Sequence, residues 1–241
     1  MYKALLFDLN GTLIDIYTSE SDWEIYRTTA NFLGCYGVVI TPEELKEEYF
    51  GRLFRQKERS REKYPEFDVI KLFASVMYDY GPAVKGVSAA HAANVFRSAG
   101  CYRLQLYSGV KETLAKLSVN YRLAAVSDGQ KLWAENELAA TGLDKVLYPV
   151  IISGSCGFRK PDPRMYKMAL DTLGITPREA VFVGNDMYRD IKGAADAGMK
   201  TVFFRSNQGD REFHGAEPDY IINNFPELLN AVEFLERQNN N

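Results

Sequence analysis

Apolar runs and amphipathic stretches divide this 241-residue chain into two kinds of region. Residues 3–9 (KALLFDL) form a short apolar run that a Gly-Thr turn follows, a pattern typical of a buried β-strand. From about residue 16 to residue 100, apolar residues recur at helical spacing, and Thr41 followed by Pro42 marks the start of one helix. We see no clear strand pattern in that region and predict that it is helical.

Strand-like and helix-like segments alternate after residue 100. Apolar runs occur at 121–128, 146–153, 179–186, 200–204 and 219–223. Such alternation predicts a parallel sheet covered by helices on both faces. We therefore expect an α/β protein with a three-layer, Rossmann-like parallel sheet core and an inserted, all-helical cap domain. The predicted core domain comprises residues 1–15 and 101–241, and the predicted cap comprises residues 16–100.

Polar side chains follow several of the predicted strands. They are Asp8, the pair Ser127 and Asp128, Ser153, and the pair Asn185 and Asp186. Ligands of parallel sheets bind beyond the carboxyl ends of the strands, so we expect a functional site there. Asp8 has the chemistry of a nucleophile that forms an ester or an aspartyl-phosphate. Gly11 permits a tight turn, whose N–H groups can cradle an anion.

Further polar residues extend this predicted site. Ser127 offers a hydroxyl donor, and the Lys160 ammonium group can neutralise a phosphate or a carboxylate. Asp186 and Asp190 add carboxylates, which suit a Mg²⁺ ion because this hard cation prefers oxygen ligands. Such an ion would offset the repulsion between Asp8 and a phosphate. Asp190 can instead pair with Lys160 and fix its position.

Composition narrows the classes of function. The net charge of −3 argues against a nucleic-acid partner, because nucleic-acid-binding surfaces are basic. Apolar runs are too short for a membrane span, and we see no secretory leader. The three cysteines lack a C-x-x-C spacing, which argues against zinc and disulfides and fits a reducing compartment. We expect a cytoplasmic protein, and the sequence gives no prediction of its oligomeric state.

Four motifs in this order resemble those of the haloacid dehalogenase-like (HAD) hydrolase superfamily, and the helical insert resembles the cap of subfamily I. They are Asp8-Leu9-Asn10-Gly11-Thr12, the strand-end Ser127, Lys160 in RKPDP, and VGNDMYRDIKGAADAG with Asp186 and Asp190. The resemblance implies that Asp8 attacks the phosphorus of a small phosphate monoester. It also implies that Mg²⁺ is held by Asp8, the backbone carbonyl of Asn10 and Asp186.

The same resemblance assigns roles to the remaining motif residues. Asp8, Asn10, Ser127 and Lys160 occupy catalytic positions, and the predicted phosphate-binding residues are Gly11, Thr12, Ser127, Asp128 and Lys160. Asn185 and Asp190 are predicted to support the site. If the register is counted back from Asp190, Asn185 rather than Asp186 takes the position that faces the metal.

Asn10 departs from the family pattern. In the family, an aspartate at this position protonates the leaving group and later activates water. An amide cannot donate and regain a proton as a carboxyl group can. The loss of general acid–base help typically costs ~10²–10⁴ in rate. An asparagine in place of aspartate need not weaken the metal site, because position 10 contributes its backbone carbonyl to that site.

Three functions follow from these motifs. We favour a Mg²⁺-dependent phosphatase that forms an aspartyl-phosphate on Asp8 and is weakened by Asn10. The first alternative is a 2-haloacid dehalogenase, in which Asp8 displaces a halide from carbon; those enzymes carry a non-acidic residue at position 10 and need no metal. The second is a ligand-binding or regulatory relative. The basic residues Arg52, Arg55, Arg59 and Lys63 lie near helical spacing, which is typical of a solvated face. The alternative is that one of them reaches into the cleft and selects an anionic substrate.

Overall fold

The computed structural model describes residues 1–81, 86–212 and 215–239, so parts of both predicted domains (82–85, 213–214 and 240–241) lie outside the described residues. Six parallel strands form the main sheet in the order β5-β4-β1-β6-β7-β8. Their bounds are β1 Ala4–Phe7, β4 Arg122–Ser127, β5 Val150–Ile152, β6 Ala180–Gly184, β7 Lys200–Phe204 and β8 Tyr220–Ile222. This order places β1 in the middle of the sheet.

Helices cover both faces of this sheet and form the insert that follows its first strand. The α-helices are α1 Trp23–Gly34, α2 Pro42–Arg59, α3 Val69–Tyr80, α4 Ala89–Ala99, α5 Val110–Leu117, α6 Lys131–Thr141, α7 Ser153–Cys156, α8 Pro163–Leu173, α9 Gly193–Asp196 and α10 Leu228–Asn239. A π-helix spans Met187–Lys192, and short 3₁₀ turns span Leu143–Lys145, Pro177–Glu179 and Phe225–Glu227. Within the described ranges, no helix has the length and apolar character needed to cross a membrane.

Alternate residues of β1 face opposite layers, as the two-residue period of a strand requires. Leu5 and Phe7 pack in one buried cluster with residues of α5, α6 and α10. Ala4 and Leu6 pack in a second cluster with α8 and α9. Burial on both sides explains why β1 is an unbroken apolar run. The predicted three-layer α/β core is thereby confirmed.

The insert has its own apolar cluster, formed by buried residues of α1 to α4. Trp133 of the core helix α6 joins this cluster, and its indole N–H donates to the Ala93 carbonyl at 3.1 Å. All four helices fall within the region for which the helical pattern was predicted. The division into core and cap at residues 15/16 and 100/101 stays a prediction.

A two-stranded ribbon lies where no strand was predicted. β2 (Ile14–Thr18) pairs antiparallel with β3 (Cys101–Leu106), outside the main sheet. The expectation that residues 16–100 contain no strand was therefore wrong at its first residues. β3 is largely exposed, so the alternation that reveals a half-buried strand is absent from it. The ribbon joins the insert to the core on one side of the cleft.

A second connection lies on the other side of the cleft, between residues 64–67 and the core. The Arg159 N–H donates to the Tyr64 carbonyl at 2.9 Å, and the Glu66 N–H donates to the Gly157 carbonyl at 3.0 Å. The Glu66 carboxylate also accepts a hydrogen bond from Ser153 at 2.8 Å. Ser153 directly follows β5, as the sequence indicated, and its hydroxyl contacts both the insert and the Gly129 N–H, the latter at 2.9 Å. These contacts fix the insert beside the loop that carries Lys160.

Candidate active site

The carboxyl end of the central strand places Asp8 between the ends of its two neighbours. β1 pairs with β4 on one side and with β6 on the other, and the Asp8 N–H donates to the Val183 carbonyl at 3.0 Å. The Asp8 side chain is 8% exposed. It is therefore a nearly buried carboxylate, next in the chain to Leu9 and Asn10, which line the cleft between sheet and insert.

Three side-chain donors converge on the Asp8 carboxylate. Ser127 and Lys160 donate to Oδ1 at 3.1 and 2.7 Å. Thr12 donates to Oδ2 at 3.2 Å. The structure thus brings together four predicted site residues from three separate stretches of the chain. Because two donors engage Oδ1 and one engages Oδ2, Oδ2 is the less occupied oxygen.

Lys160 lies between two carboxylates in the interior. Its Nζ is 2.6 Å from Asp190 Oδ1, besides its contact with Asp8, and its side chain is 2% exposed. Burial opposes the charge on Lys160, but Asp190 and Asp8 outweigh burial and raise its pKa. Burial also raises the pKa of Asp190 to about 7, although Lys160 opposes that rise. The predicted pairing of Asp190 with Lys160 is thus present in the geometry.

Asn185 and Asp186 point to different neighbours. Asn185 Oδ1 lies 3.1 Å from Thr12 Oγ1, whose one hydroxyl proton is shared between this oxygen and Asp8 Oδ2, and this contact places the amide beside the Asp8 turn. The Asp186 carboxylate instead accepts from the Arg189 backbone N–H at 2.7 Å and pairs with its guanidinium at 2.8 Å. The predicted metal role of Asp186 stays a prediction. These contacts favour the other register, in which Asn185 faces Asp8.

Gly11 makes the close approach of Asn185 possible. Its φ of +90° lies in the left-handed region, and a Cβ at this position would be 2.3 Å from Asn185 Nδ2. Any larger residue would therefore carry backbone strain and push the amide away from the turn. The predicted phosphate-binding role of Gly11 stays a prediction, whereas its packing role is visible.

Asn10 is bound to a residue for which the sequence predicted no function. Asn10 Nδ2 donates to Glu137 Oε2 at 3.4 Å, and the buried Asn10 Oδ1 has no hydrogen-bond partner among the residues that the structure describes. Glu137 Oε1 accepts from Arg97 Nη2 at 2.6 Å, so a helix of the insert is joined to α6. The available sequence signal was the four-residue spacing of Trp133 and Glu137, which puts this acid on the face of α6 that meets the insert.

The Asp128 carboxylate contacts the loop that carries Lys160, so this side chain is not free. Its Oδ1 accepts from the Lys160 backbone N–H at 2.9 Å, and its Oδ2 pairs with Arg159 at 3.3 Å. A carboxylate in this position would repel a phosphate unless a cation intervened. Its predicted phosphate-binding role stays a prediction, and the contacts indicate that it fixes the loop.

The cleft beside this site has a volume of about 450 Å³. Its lining combines Asn10, Ser127 and Asp128 with aromatic and arginine side chains: Tyr17, Phe67, Trp133, Arg97, Arg103 and Arg159. Arg52, Arg55 and Arg59 line a different pocket on the insert, of about 210 Å³. The cleft arginines are therefore not those of the basic series singled out in the sequence.

Comparison with known proteins identifies the family. The sequence model of the family described as haloacid dehalogenase-like hydrolase matches residues 5–204. A glyceraldehyde 3-phosphate phosphatase of Methanopyrus kandleri is 31% identical over 98% of this chain and all of its own length. The chain therefore belongs to the haloacid dehalogenase-like hydrolase family. The resemblance drawn from the four motifs and the predicted hydrolase class are confirmed.

Two further similarities are to a protein named as a dehalogenase and to one named as a phosphatase. An (S)-2-haloacid dehalogenase 4A of Burkholderia cepacia is 34% identical over 52% of this chain and 54% of its own. The crystal structure of a HAD phosphatase from Thermococcus onnurineus superimposes with a TM-score of 0.65, at 26% identity, over 95% of this chain and 97% of that one. The similarity to phosphatases thus extends over nearly the whole chain.

Proposed function

We propose that this protein is a phosphatase that hydrolyses small phosphate monoesters through an aspartyl-phosphate on Asp8. The observation that carries the proposal is the convergence of Ser127, Lys160 and Thr12 on the Asp8 carboxylate, at the end of the central strand. Relatives named as phosphatases, similar over the full length of the chain, support it. A cleft of about 450 Å³ suits a small-molecule substrate.

The residues around Asp8 divide the work of the reaction. An Asp8 oxygen attacks phosphorus as the ester oxygen leaves, and water then hydrolyses the aspartyl-phosphate to free phosphate. Ser127 and Thr12 hold the carboxylate in one orientation, which keeps the attacking oxygen in place. The Lys160 ammonium group neutralises charge where the phosphate approaches. Asp190 holds Lys160 at 2.6 Å and so positions it.

The donor atoms near Asp8 fit a hard cation such as Mg²⁺. The Asn10 carbonyl accepts no hydrogen bond from the residues that the structure describes, and the Asn185 side chain adds an amide oxygen. We propose Asp8, the Asn10 carbonyl and Asn185 Oδ1 as protein ligands. Asp186 would join them only if its carboxylate left Arg189. When bound, Mg²⁺ would offset the repulsion between Asp8 and the phosphate.

Trapping of the phosphoenzyme tests this function. We expect Mg²⁺-dependent release of phosphate from a panel of small phosphomonoesters and a phosphate mass increment on the peptide that carries Asp8. Asp8→Asn should lose both signals, whereas the same substitution at the exposed Asp144 should keep them. Turnover that persists in Asp8→Asn, or a label on another residue, would contradict the proposal.

Two amides beside Asp8 favour a second candidate function, carbon–halogen hydrolysis. Asn10 and Asn185 stand where a metal-dependent phosphatase would carry acids, and a halide leaves without a proton. Asp8 would then form an ester with a small 2-haloacid, and water would hydrolyse it. Chelator distinguishes the two functions, because release of halide should survive metal removal and release of phosphate should not. A ligand-binding relative would release neither.

A further inference from the structure

Position 10 lacks a titratable proton, and the structure shows that its amide is already engaged. Asn10 Nδ2 donates to Glu137 Oε2 at 3.4 Å, which fixes the amide because the opposite orientation would place two acceptor oxygens together. The remaining N–H of Asn10 can donate a hydrogen bond to an oxygen, but it cannot transfer its proton. A leaving oxygen at this site therefore receives no proton from Asn10.

The other proton-bearing groups next to Asp8 are engaged elsewhere: Lys160 and Asp190 pair with each other at 2.6 Å, and neither is in the cleft lining. Among the residues that the structure describes, the cleft lining contains four carboxyl groups: Glu20, Glu66, Asp128 and Glu137. Three of them form ion pairs with Arg159 or Arg97. Glu20 lies in the segment between β2 and α1 and also lines a small pocket with Ile25 and Phe96.

We infer that the natural substrate is a phosphoryl compound whose leaving group departs as a weakly basic anion, such as an acyl, enol or aryl phosphate. This inference rests on the proposed phosphatase function and narrows its substrate class. Asp8 attacks phosphorus, the P–O bond to the leaving group breaks, and that group takes the electron pair without a proton. Water then attacks the phosphorus of the aspartyl-phosphate, the P–O bond to Asp8 breaks, and the proton of that water leaves with the inorganic phosphate. The leaving group of this step is the Asp8 carboxylate, itself a weak base.

The cleft is compatible with leaving groups of this class. Trp133, Phe67 and Tyr17 provide flat apolar walls, which an aryl or enol group can contact. Arg97 lies over the Trp133 ring at 5.0 Å and brings a cation close to the same walls. Glu137 pairs with Arg97 at 2.6 Å and offsets its charge. The free N–H of Asn10 can donate a hydrogen bond to the leaving anion, which stabilises it without proton transfer.

A leaving-group series tests the inference. With Mg²⁺ present, kcat/KM is measured for acetyl phosphate, substituted phenyl phosphates and glycerol phosphate. We expect kcat/KM of the wild type to fall steeply as the leaving group becomes more basic. Asn10→Asp should flatten this dependence. It should raise kcat/KM for the alkyl ester glycerol phosphate by up to ~10²–10⁴-fold and leave kcat/KM for acetyl phosphate nearly unchanged. The exposed Asn136→Asp on α6 is the matched control and should keep the steep dependence.

Two additional variants keep the test decisive. The double variant Asn10→Asp with Glu137→Gln should show the flattened dependence of kcat/KM on leaving-group basicity, even if repulsion from Glu137 disables the single variant. Glu20→Gln should not change the slope, and a steeper slope in it would identify Glu20 as the acid and overturn the inference. A flat dependence in the wild type, or an equal gain for all substrates in Asn10→Asp, would also overturn it. Absence of phosphate release from every substrate would instead refute the proposed function itself.

Discussion

Asn10 Nδ2 donates a hydrogen bond to Glu137 Oε2 across 3.4 Å, joining the turn after the central strand to helix α6. Glu137 in turn accepts two N–H groups of Arg97, at 2.9 and 2.6 Å. The residue that departs from the family pattern is thus part of a polar network that also attaches the insert to the core. A change at position 10 therefore alters stability as well as chemistry.

This contact predicts energetic coupling between positions 10 and 137. Asn10→Asp would place two carboxylates in contact, which disfavours the charged form of both. We expect it to destabilise the protein, and Glu137→Gln should relieve that cost, with a coupling of about 0.5–3 kcal/mol. Urea unfolding of both single variants and the double variant measures it. The pair Asn136→Asp and Glu137→Gln is the control, and equal coupling in both pairs would refute a specific contact.

Lys160 should be essential for stability as well as for activity. Lys160→Met would leave Asp8 and Asp190 buried without their shared cation, which typically costs about 3–5 kcal/mol. Lys167 forms an ion pair with Asp171 at 2.5 Å on the surface, with 70% of its side chain exposed. Lys167→Met should therefore change the free energy of unfolding by less than about 1 kcal/mol. Similar losses of unfolding free energy in the two variants would mean that the buried ion pairs of Lys160 stabilise the protein no more than the surface pair does.

Gly11 offers a test of the close contact with Asn185. Gly11→Ala should combine left-handed backbone strain with overpacking, at about 1–2 and 1–3 kcal/mol respectively. Gly174 also has a positive φ, +63°, but a Cβ there would meet no atom of the described residues within 4 Å. Gly174→Ala should thus show the strain alone. Thermal unfolding measures the stability of both variants. A smaller loss of stability in Gly11→Ala than in Gly174→Ala would contradict the close contact between Gly11 and Asn185.

Calorimetric titration of Mg²⁺ distinguishes the two registers of the fourth motif. If Asn185 is the ligand, Asn185→Asp adds a negative charge and should tighten binding by about tenfold or more, equal to 1.4 kcal/mol. Asp186→Ala should then have a smaller effect than Asn185→Ala, because the Asp186 carboxylate pairs with Arg189. Loss of Mg²⁺ binding in Asp186→Ala with no change in Asn185→Ala would instead support Asp186 as the ligand.

Local patterns in the sequence determined the α/β core and the helical insert. Burial on both faces makes β1 an unbroken apolar run, and alternation of strands and helices implies parallel pairing. Short motifs at strand ends also predicted which side chains would meet, because parallel strands end at one edge of the sheet. Asp8, Ser127 and Lys160 lie within hydrogen-bond distance as that argument requires.

Tertiary structure alone decided contacts between distant or exposed segments. Strand β3 is largely exposed and its burial does not alternate, so the sequence pattern gave no indication that β3 pairs with β2. Sequence register left Asn185 and Asp186 as alternatives, and the contacts of Asn185 with Thr12 and of Asp186 with Arg189, which favour Asn185, appear only in the folded chain. The link from Asn10 to Glu137 spans 127 positions, and it exists because α6 packs beside the end of β1. Such long-range contacts depend on how whole layers dock, which no local spacing specifies.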